Sequence, residues 1–301
     1  MAVMDATASL DVGRIDDQAR RSRLQRRRIL GVSGWALCGL ALLLLSIAMC
    51  WILLMVLIRG ITALSPIVFT HVSQGTGGGL LNAIEGTLLI GVGSMILAIP
   101  FGISCGLYVA QFGHTRWAQL VRFLSDVLVG VPSIVLGYFG YVTMVEGLGW
   151  HFSLAAASIT IAMLCLPYIC RTTELALAQV PAAMKEAAYA LGAGDGRVAL
   201  RISLPTALPG IMTGVLLAFA ISIGETAPLI YTAGWSDYLW NGKLTHEPIG
   251  YLTYAIWAFI NEPFAAANAL AYAAAFLVTF FVLLISIAAR YVLLRRAEAQ
   301  R

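Results

Sequence analysis

The stretch ILGVSGWALCGLALLLLSIAMCWILLMVLI, residues 29–58, runs for thirty residues without one charged side chain. A bilayer core about 30 Å thick needs about 20 apolar helical residues, because an α-helix rises about 1.5 Å per residue. The stretch is therefore long enough to span a membrane. It exceeds the apolar part of a signal peptide, about 7 to 15 residues, and lacks a small-residue cleavage site, so we interpret it as a retained span.

The composition of the rest of the chain predicts the same class of protein. Of the 301 residues, 60% are hydrophobic and 11% are charged, far fewer charges than a soluble domain of this size exposes. The sequence therefore predicts an all-α polytopic membrane protein with six transmembrane helices. We place these helices at residues 29–58, 80–109, 123–144, 152–169, 208–231 and 265–289.

Basic residues are distributed unevenly around these spans. If the Arg-rich arm before the first span is cytoplasmic, seventeen of the nineteen Lys and Arg residues lie inside, and only Arg59 and Lys243 lie outside. The positive-inside rule therefore predicts that both termini are cytoplasmic. We divide the chain into a basic arm 1–28, a first transmembrane helix with its outer loop 29–79, a core of five transmembrane helices 80–290, and a cytoplasmic tail 291–301.

Cysteines and histidines do not form the pattern of a metal site. The five cysteines lie in or beside apolar runs without a CxxC pair, and the four histidines are scattered singly. We expect buried thiols and no bound metal. The chain also lacks the nucleotide-binding pattern G-x-x-x-x-G-K-[ST], since the glycines at 75–79 are followed by Leu80.

A polar segment, KEAAYALGAGDGRVALRISLP at 185–205, lies in the predicted cytoplasmic loop 171–206. Pro181 and the helix formers after it predict a helix, and the glycines from Gly192 to Gly196 predict its end. A second helical piece is expected over 197–204, stopping at Pro205. Such a helix-turn-helix elbow either fits a groove on a partner protein or lies on the membrane surface as an ordinary amphipathic loop.

The spacing within this elbow resembles the EAA loop of ABC importer permeases, whose pattern is EAA-x3-G-x9-I-x-L-P. The residues that match it are Glu186, Ala187, Ala188, Gly192, Ile202, Leu204 and Pro205. The resemblance implies a type I importer permease whose elbow is a coupling helix seated on a separate ATPase subunit. That partner would bind and hydrolyse ATP with Mg²⁺, so we expect no cofactor on this chain, which would be a transporter subunit and not an enzyme.

Three further stretches narrow the resemblance. They are DVLVGVPSIVLGYFG (126–140), CRTTELALAQVP (170–181) and SIGETAPLIYTAG (222–234). Over roughly residues 80–290 the chain is similar to the PstA family, the permeases of bacterial phosphate importers. The resemblance implies a multi-pass inner-membrane subunit that imports inorganic phosphate by alternating access, with a PstC-like second permease, two PstB-like ATPases and a PstS-like phosphate-binding protein.

Glu225 lies deep in the fifth predicted span, where a charge costs about 2.5 to 3.5 kcal/mol on insertion scales. Gly224 precedes it, and Pro228 lacks the N–H of a helical residue, so we expect a helix break near Thr226. Broken helices often line a ligand route, and Ser222 and Thr226 offer hydroxyls. Two hypotheses stay open: the carboxylate accepts a hydrogen bond from the proton that monohydrogen phosphate still carries, or it pairs with an arginine of the partner permease.

Arg171 and Glu174 share one helical face at the spacing i, i+3. They form either a surface pair or, as the resemblance implies, an anion path in which Glu174 neutralises Arg171 between ions. Arg122 and Asp126, at i, i+4, are predicted to form an intrahelical pair. Many PstA-like sequences have a basic residue one turn before the GETAPL glutamate, where this chain has Ile221, so the path would depend more on Arg171 or on the partner chain.

Two alternative functions remain at this stage. The same transport machinery could carry another solute, such as sulfate, molybdate or an organic compound. A polytopic membrane enzyme, for example a lipid-modifying transferase, would need a catalytic cluster at one membrane face. The sequence has no paired His/Asp or acidic metal motif of that kind.

Overall fold

The computed structural model describes the backbone of residues 2–299 and the side chains of residues 27, 28 and 30–291. The side chains of most of the predicted basic arm and cytoplasmic tail lie outside the described residues. One short antiparallel hairpin pairs Ser73–Gln74 (β1) with Gly77–Gly78 (β2). The helices are α1 Ala2–Ala63, α2 Pro66–Thr70, α3 Leu81–Phe112, α4 Arg116–Gly130, α5 Ser133–Gly140, α6 Leu154–Ala178, α7 Ala182–Ala190, α8 Asp195–Val198, α9 Leu204–Gly224, α10 Ala227–Thr232, α11 Leu252–Phe259 and α12 Ala265–Ala299.

Five helical stretches in the described chain are long and apolar enough to cross a membrane. They are Leu30–Ala63, Leu81–Phe112, Leu154–Ala178, Asp195–Gly224 and Ala265–Tyr291. The bent pair formed by α4 and α5 gives a sixth span if it is counted as one. The predicted class, an all-α multi-pass membrane protein, is confirmed.

Contacts divide the chain into two compact units, Met1–Val56 and Leu57–Arg301. In the first unit the described side chains from Leu30 to Met55 are almost all exposed, and most are apolar. A helix that is apolar on all sides is typical of a lipid-facing span. The second unit contains the packed helices and the residues that the sequence singled out for function, apart from the basic arm.

The prediction of a single helix over 123–144 is wrong. Arg116–Gly130 and Ser133–Gly147, which is α5 continued by a π-helical turn, meet at an angle of 101°. Val131 is extended at the bend, with φ of −77° and ψ of 126°, because a residue before proline is disfavoured in the helical region. Pro132 then begins a new helix, so the chain changes direction inside the predicted span.

The predicted boundaries of the fifth span are also wrong. The helix does not stop at Pro205 but runs without a gap from Asp195 to Gly224, through α8, the π-helical turn Ala199–Ser203 and α9. A proline disturbs the helical turn before it, and the wider π-helical turn accommodates that disturbance. Since α6 likewise continues to Ala178, only residues 179–194 of the predicted loop 171–206 lie between long helices. The predicted second arm of the elbow, 197–204, belongs to the long helix, and from here on the elbow means residues 179–194.

Small residues allow α3, α6 and α9 to pack closely. A Cβ added at Gly102 of α3 would lie 2.8 Å from the Cβ of Ile169, and one at Gly106 would lie 2.5 Å from the Cβ of Thr173. Such close approach between helices is typical of packing in lipid, where little hydrophobic driving force holds helices together. The position of α6 between α3 and α9 fixes the side chains that form the candidate sites.

Candidate functional sites

Three charged side chains form a chain of ion pairs where α4 meets α6. Oε1 of Glu174 accepts hydrogen bonds from Arg122, with Nη2 at 2.6 Å and Nε at 3.2 Å. Oε2 accepts one from Nη1 of Arg171 at 2.9 Å, at the i, i+3 spacing seen in the sequence. One carboxylate therefore binds two guanidinium groups, and the triad carries a net charge of +1.

The predicted pair between Arg122 and Asp126 is wrong, because both donating groups of Arg122 point at Glu174. The Glu174 side chain is only 15% exposed, whereas Asp126 lies on the exposed side of α4. An ion pair is stronger where less water screens it, so the less exposed carboxylate is the better partner. Glu174 lies 52 positions from Arg122, and a local spacing rule could not have found it.

A cavity of about 300 Å³ opens beside this triad, between α4 and α6. Both arginines, Asp126 and Glu174 line it, together with Ser125 and apolar side chains. At about 30 Å³ per water molecule, the volume holds about ten waters, enough for a tetrahedral oxyanion with part of its hydration shell. We call it the arginine cavity.

The fifth span is broken at Glu225 and Thr226, as the sequence predicted from Pro228. The helix α9 ends at Gly224, Glu225 is extended with φ of −73° and ψ of 138°, and α10 begins at Ala227. We call these two residues the helix break. The Thr253 hydroxyl donates to the Glu225 carbonyl at 2.7 Å, which the break deprives of its helical donor, since the N–H of Leu229 bonds Thr226 instead.

The bend between α4 and α5, at Val131 and Pro132, lies beside the helix break. The Ser133 hydroxyl, at the start of α5, interacts with the Glu225 carboxylate. Gly137 of α5 packs on the backbone of Pro228, so closely that a Cβ could not be added without displacing it. Ser222, by contrast, donates its hydroxyl to the carbonyl of Phe219 in its own helix. The half-buried Glu225 and Thr226 therefore lie where two interrupted helices meet.

The arginine cavity and the helix break are separate places. Gly214 of α9 faces Thr172 of α6, since a Cβ on the glycine would collide with that side chain. Thr172 is next to Arg171, and eleven positions separate Gly214 from Glu225, a helical distance of about 16 Å. The structure thus brings Arg171 and Glu174 together but does not join them to Glu225 in one site.

The elbow presents an open surface. None of the nine residues of α7 is buried, and both Glu186 and Ala187 are exposed while Ala188 is half-buried. Tyr189 ties the helix to its surroundings, because its hydroxyl donates to Oδ1 of Asp195 at 3.0 Å and accepts from Gln111. The Tyr189 hydroxyl therefore fixes the position of the helix, while Glu186 and Ala187 stay exposed.

Gly192 ends α7 in a defined geometry. Its φ is +79°, its N–H donates to the carbonyl of Tyr189, and the N–H of Ala193 donates to the carbonyl of Ala188 at 3.1 Å. These two bonds are the Schellman motif, which requires a left-handed residue at the position of Gly192. The glycine of the EAA pattern therefore has a conformational reason, whereas Ile202 and Leu204 are half-buried and Pro205 is exposed at the base of the long helix.

Residues 98–297, two thirds of the chain, match a family described as "Binding-protein-dependent transport system inner membrane component". The chain belongs to this family. Similar members include PstA 2 of Mycobacterium tuberculosis, a phosphate transport system permease protein that is 44% identical over 266 residues, 88% of either chain. PstA of Yersinia pestis is 40% identical over 250 residues, which cover 82% of this chain and 84% of that protein.

Solved structures of ABC transporters have a fold similar to that of this chain. A chain of the MetNI methionine ABC transporter, in an inward-facing conformation, matches with a TM-score of 0.57 and 20% identity. The match covers 71% of this chain and 93% of that chain. The permease fold of a type I importer, expected from the EAA pattern, is therefore confirmed, and the similarity at this identity concerns the fold alone.

The contacts of three residues in these sites were not predicted from the sequence. Arg122 was assigned to the wrong carboxylate, and Ser133 and Thr253 were not singled out. Pro132 indicated that a new helix starts near Ser133, since the fixed φ of proline suits the start of a helix. Arg122 and Thr253 reach partners 52 and 28 positions away, and such contacts follow only from the packing of α4 and α11.

Proposed function

We propose that this chain is a permease subunit of an ATP-driven importer, which moves inorganic phosphate into the cytoplasm by alternating access. The observation that carries the proposal is the long similarity to proteins named phosphate transport permeases, 40–44% identical over 82–88% of this chain. Family membership and the permease fold support the transporter class. Phosphate arrives from a PstS-like binding protein on the outer face.

The partners follow from the elbow. We place α7 in a cleft of a PstB-like ATPase, two copies of which serve this chain and a PstC-like second permease. Its unburied surface supports this assignment, since Met184 is 44% exposed and Leu191 is 89% exposed, and such apolar side chains suit a protein groove. The ATPases bind ATP and Mg²⁺, and this chain binds no cofactor. Both termini and the elbow then lie in the cytoplasm.

The ion path has two stations in this proposal. At the arginine cavity, on the cytoplasmic side, Arg171 binds phosphate through its guanidinium fork, and Glu174 neutralises it between ions. At the helix break, the Glu225 carboxylate accepts a hydrogen bond from the P–OH group that monohydrogen phosphate still carries, with the hydroxyls of Ser222 and Thr226 nearby. Sulfate has no such proton at neutral pH and would face an unpaired carboxylate, which disfavours it.

Uptake measurements test the cargo. In bacterial cells from which this chain has been deleted, we expect phosphate uptake to fall while sulfate uptake holds, and re-expression to restore phosphate uptake. Competition by molybdate, sulfate and arsenate in the restored cells then ranks the alternative oxyanions. An equal loss of phosphate and sulfate uptake would remove the phosphate assignment and leave the permease class in place.

A further inference from the structure

We propose that Arg122 is a positioning residue of the ion path, which holds Glu174 so that Arg171 can exchange this carboxylate for phosphate. The inference rests on the proposed function for its cargo. It assigns different tasks to two arginines that bind the same side chain. The two tasks follow from an asymmetry in their contacts.

Arg122 holds Glu174 with two N–H groups, and Arg171 holds it with one. The two bonds from Arg122 end on Oε1, at 2.6 and 3.2 Å, and the bond from Arg171 ends on Oε2 at 2.9 Å. Arg122 is also less exposed, at 37% against 53% for Arg171, so water screens its attraction less. Arg171 is therefore the partner that Glu174 releases more easily.

Arg171 is also the guanidinium with more free capacity. It has five N–H groups and gives one of them to Glu174. An oxyanion in the arginine cavity can bind the remaining donors first and then take the place of Oε2. During this exchange Glu174 keeps its bonds to Arg122, so the half-buried carboxylate is never left without a cation beside the incoming anion.

Removal of Arg122 leaves Glu174 without the cation that holds it while phosphate binds Arg171. Glu174 then has Arg171 as its one cation in the triad, and phosphate must displace a carboxylate that has no other partner. The displaced charge would lie unpaired next to a second anion, which is unfavourable at low exposure. Arg171 consequently stays bound to Glu174, and the ion path is blocked at the arginine cavity.

The test measures phosphate ions imported per ATP hydrolysed, using the complete transporter in proteoliposomes with saturating phosphate-loaded binding protein. We expect Arg122→Gln to lower this ratio by at least about tenfold, less than the roughly thirtyfold or more lost when one partner of a fully buried charge pair is truncated, because Arg122 is 37% exposed. Arg122→Lys keeps the charge but not the planar fork, so its ratio should lie between those of the wild type and Arg122→Gln. A variant that merely weakens the fold would lower import and ATP hydrolysis together and leave the ratio intact.

The decisive comparison uses Glu174→Gln as a second background. A neutral side chain does not capture Arg171, so Glu174→Gln and Arg122→Gln/Glu174→Gln should show the same ratio, a strong non-additivity. Arg122→Gln/Asp126→Asn restores the net charge of the cavity and should stay defective, because charge alone does not position Glu174. An equal effect of Arg122→Gln in both backgrounds, or a ratio like that of the wild type, would overturn the inference.

Failure of the cargo assignment gives a different result. If the wild-type transporter hydrolyses ATP with its binding protein but accumulates no phosphate, the proposed function fails, and the inference fails with it. If the wild type imports phosphate and Arg122→Gln imports it with the same ratio, the inference alone fails.

Discussion

Gly192 has a left-handed backbone conformation that alanine adopts only at an energetic cost. A Cβ there would meet no atom within 4 Å, so a substitution is opposed by backbone conformation and not by space. We expect Gly192→Ala to cost about 1–2 kcal/mol at the end of α7, a reduction of roughly five- to thirtyfold in ATPase affinity. The measurement is the binding affinity between the purified permease and its ATPase.

Gly196→Ala is the matched control for this prediction. Gly196 is also free of neighbours within 4 Å, but it lies in α8 without a left-handed φ, where alanine is the better helix former. Its ATPase affinity should equal that of the wild type or exceed it. Equal affinities for the two variants would contradict the role assigned to the Schellman motif.

Glu225 supports a second prediction at this scale. The Ser133 hydroxyl, which interacts with its carboxylate, supplies one donor, so the carboxylate keeps accepting capacity. We expect Glu225→Gln to narrow the preference for phosphate over sulfate by about tenfold or more, because an amide no longer rejects the unprotonated anion. Competition for uptake measures the preference, with the exposed Glu146→Gln as the control.

An unchanged preference in Glu225→Gln would favour the other hypothesis, in which the carboxylate pairs with an arginine of the second permease. That hypothesis has its own signature. The variant would then lose association with the second permease, which co-purification detects.

The helices α5 and α10 pack closely where Gly137 meets Pro228. A Cβ at Gly137 would overlap Cα of Pro228 and lie 2.9 Å from its carbonyl oxygen, and backbone atoms cannot rotate away. We expect Gly137→Ala to destabilise the permease by about 1–3 kcal/mol through overpacking. Thermal unfolding of the purified protein in detergent checks this, and Gly130→Ala, with no atom within 4 Å, should unfold like the wild type.

Local patterns in the sequence were sufficient for some elements and not for others. The start of α7 at Pro181, its end at Gly192 and the helix break before Pro228 all depend on the conformational limits of one or two residues. Pro205 predicted a helix end in the same way, but the helix continues through it because the π-helical turn before it accommodates the proline. Pro132 marked the 101° bend, but a proline within an apolar run does not reveal whether the helix kinks or turns.

The candidate sites show the same division. The Arg171 and Glu174 pair follows from a spacing of three on one helix, so the sequence could identify it. The bond from Arg122 to Glu174 requires α4 to lie against α6, and that arrangement depends on the packing of two helices that are distant in the sequence. Side chains brought together by packing carry no spacing that a reader of the sequence can recognise.

At the scale of the whole molecule, the distribution of basic residues predicts a measurable topology. In a background without cysteines, Lys243→Cys should react with a membrane-impermeant maleimide in intact cells, since Lys243 is 65% exposed on the predicted outer face. Glu186→Cys, on the elbow, should react only after the cells are opened and the ATPase that covers α7 is removed. The reverse pattern would place α7 on the side without ATP and contradict the proposed coupling.

The uninterrupted helix from Asp195 to Gly224 also has a mechanical meaning. It is about 45 Å long, and two side chains of α6, Ala176 and Thr172, pack on it at Gly210 and Gly214, a little beyond its midpoint. A stiff helix held at that point rotates about it. The contact lies about 26 Å from the Asp195 end and about 18 Å from the Gly224 end, so a movement of about 1 Å at the Asp195 end moves the Gly224 end by about 0.7 Å in the opposite direction. Because the helix ends at the helix break, this movement would displace the backbone of Glu225.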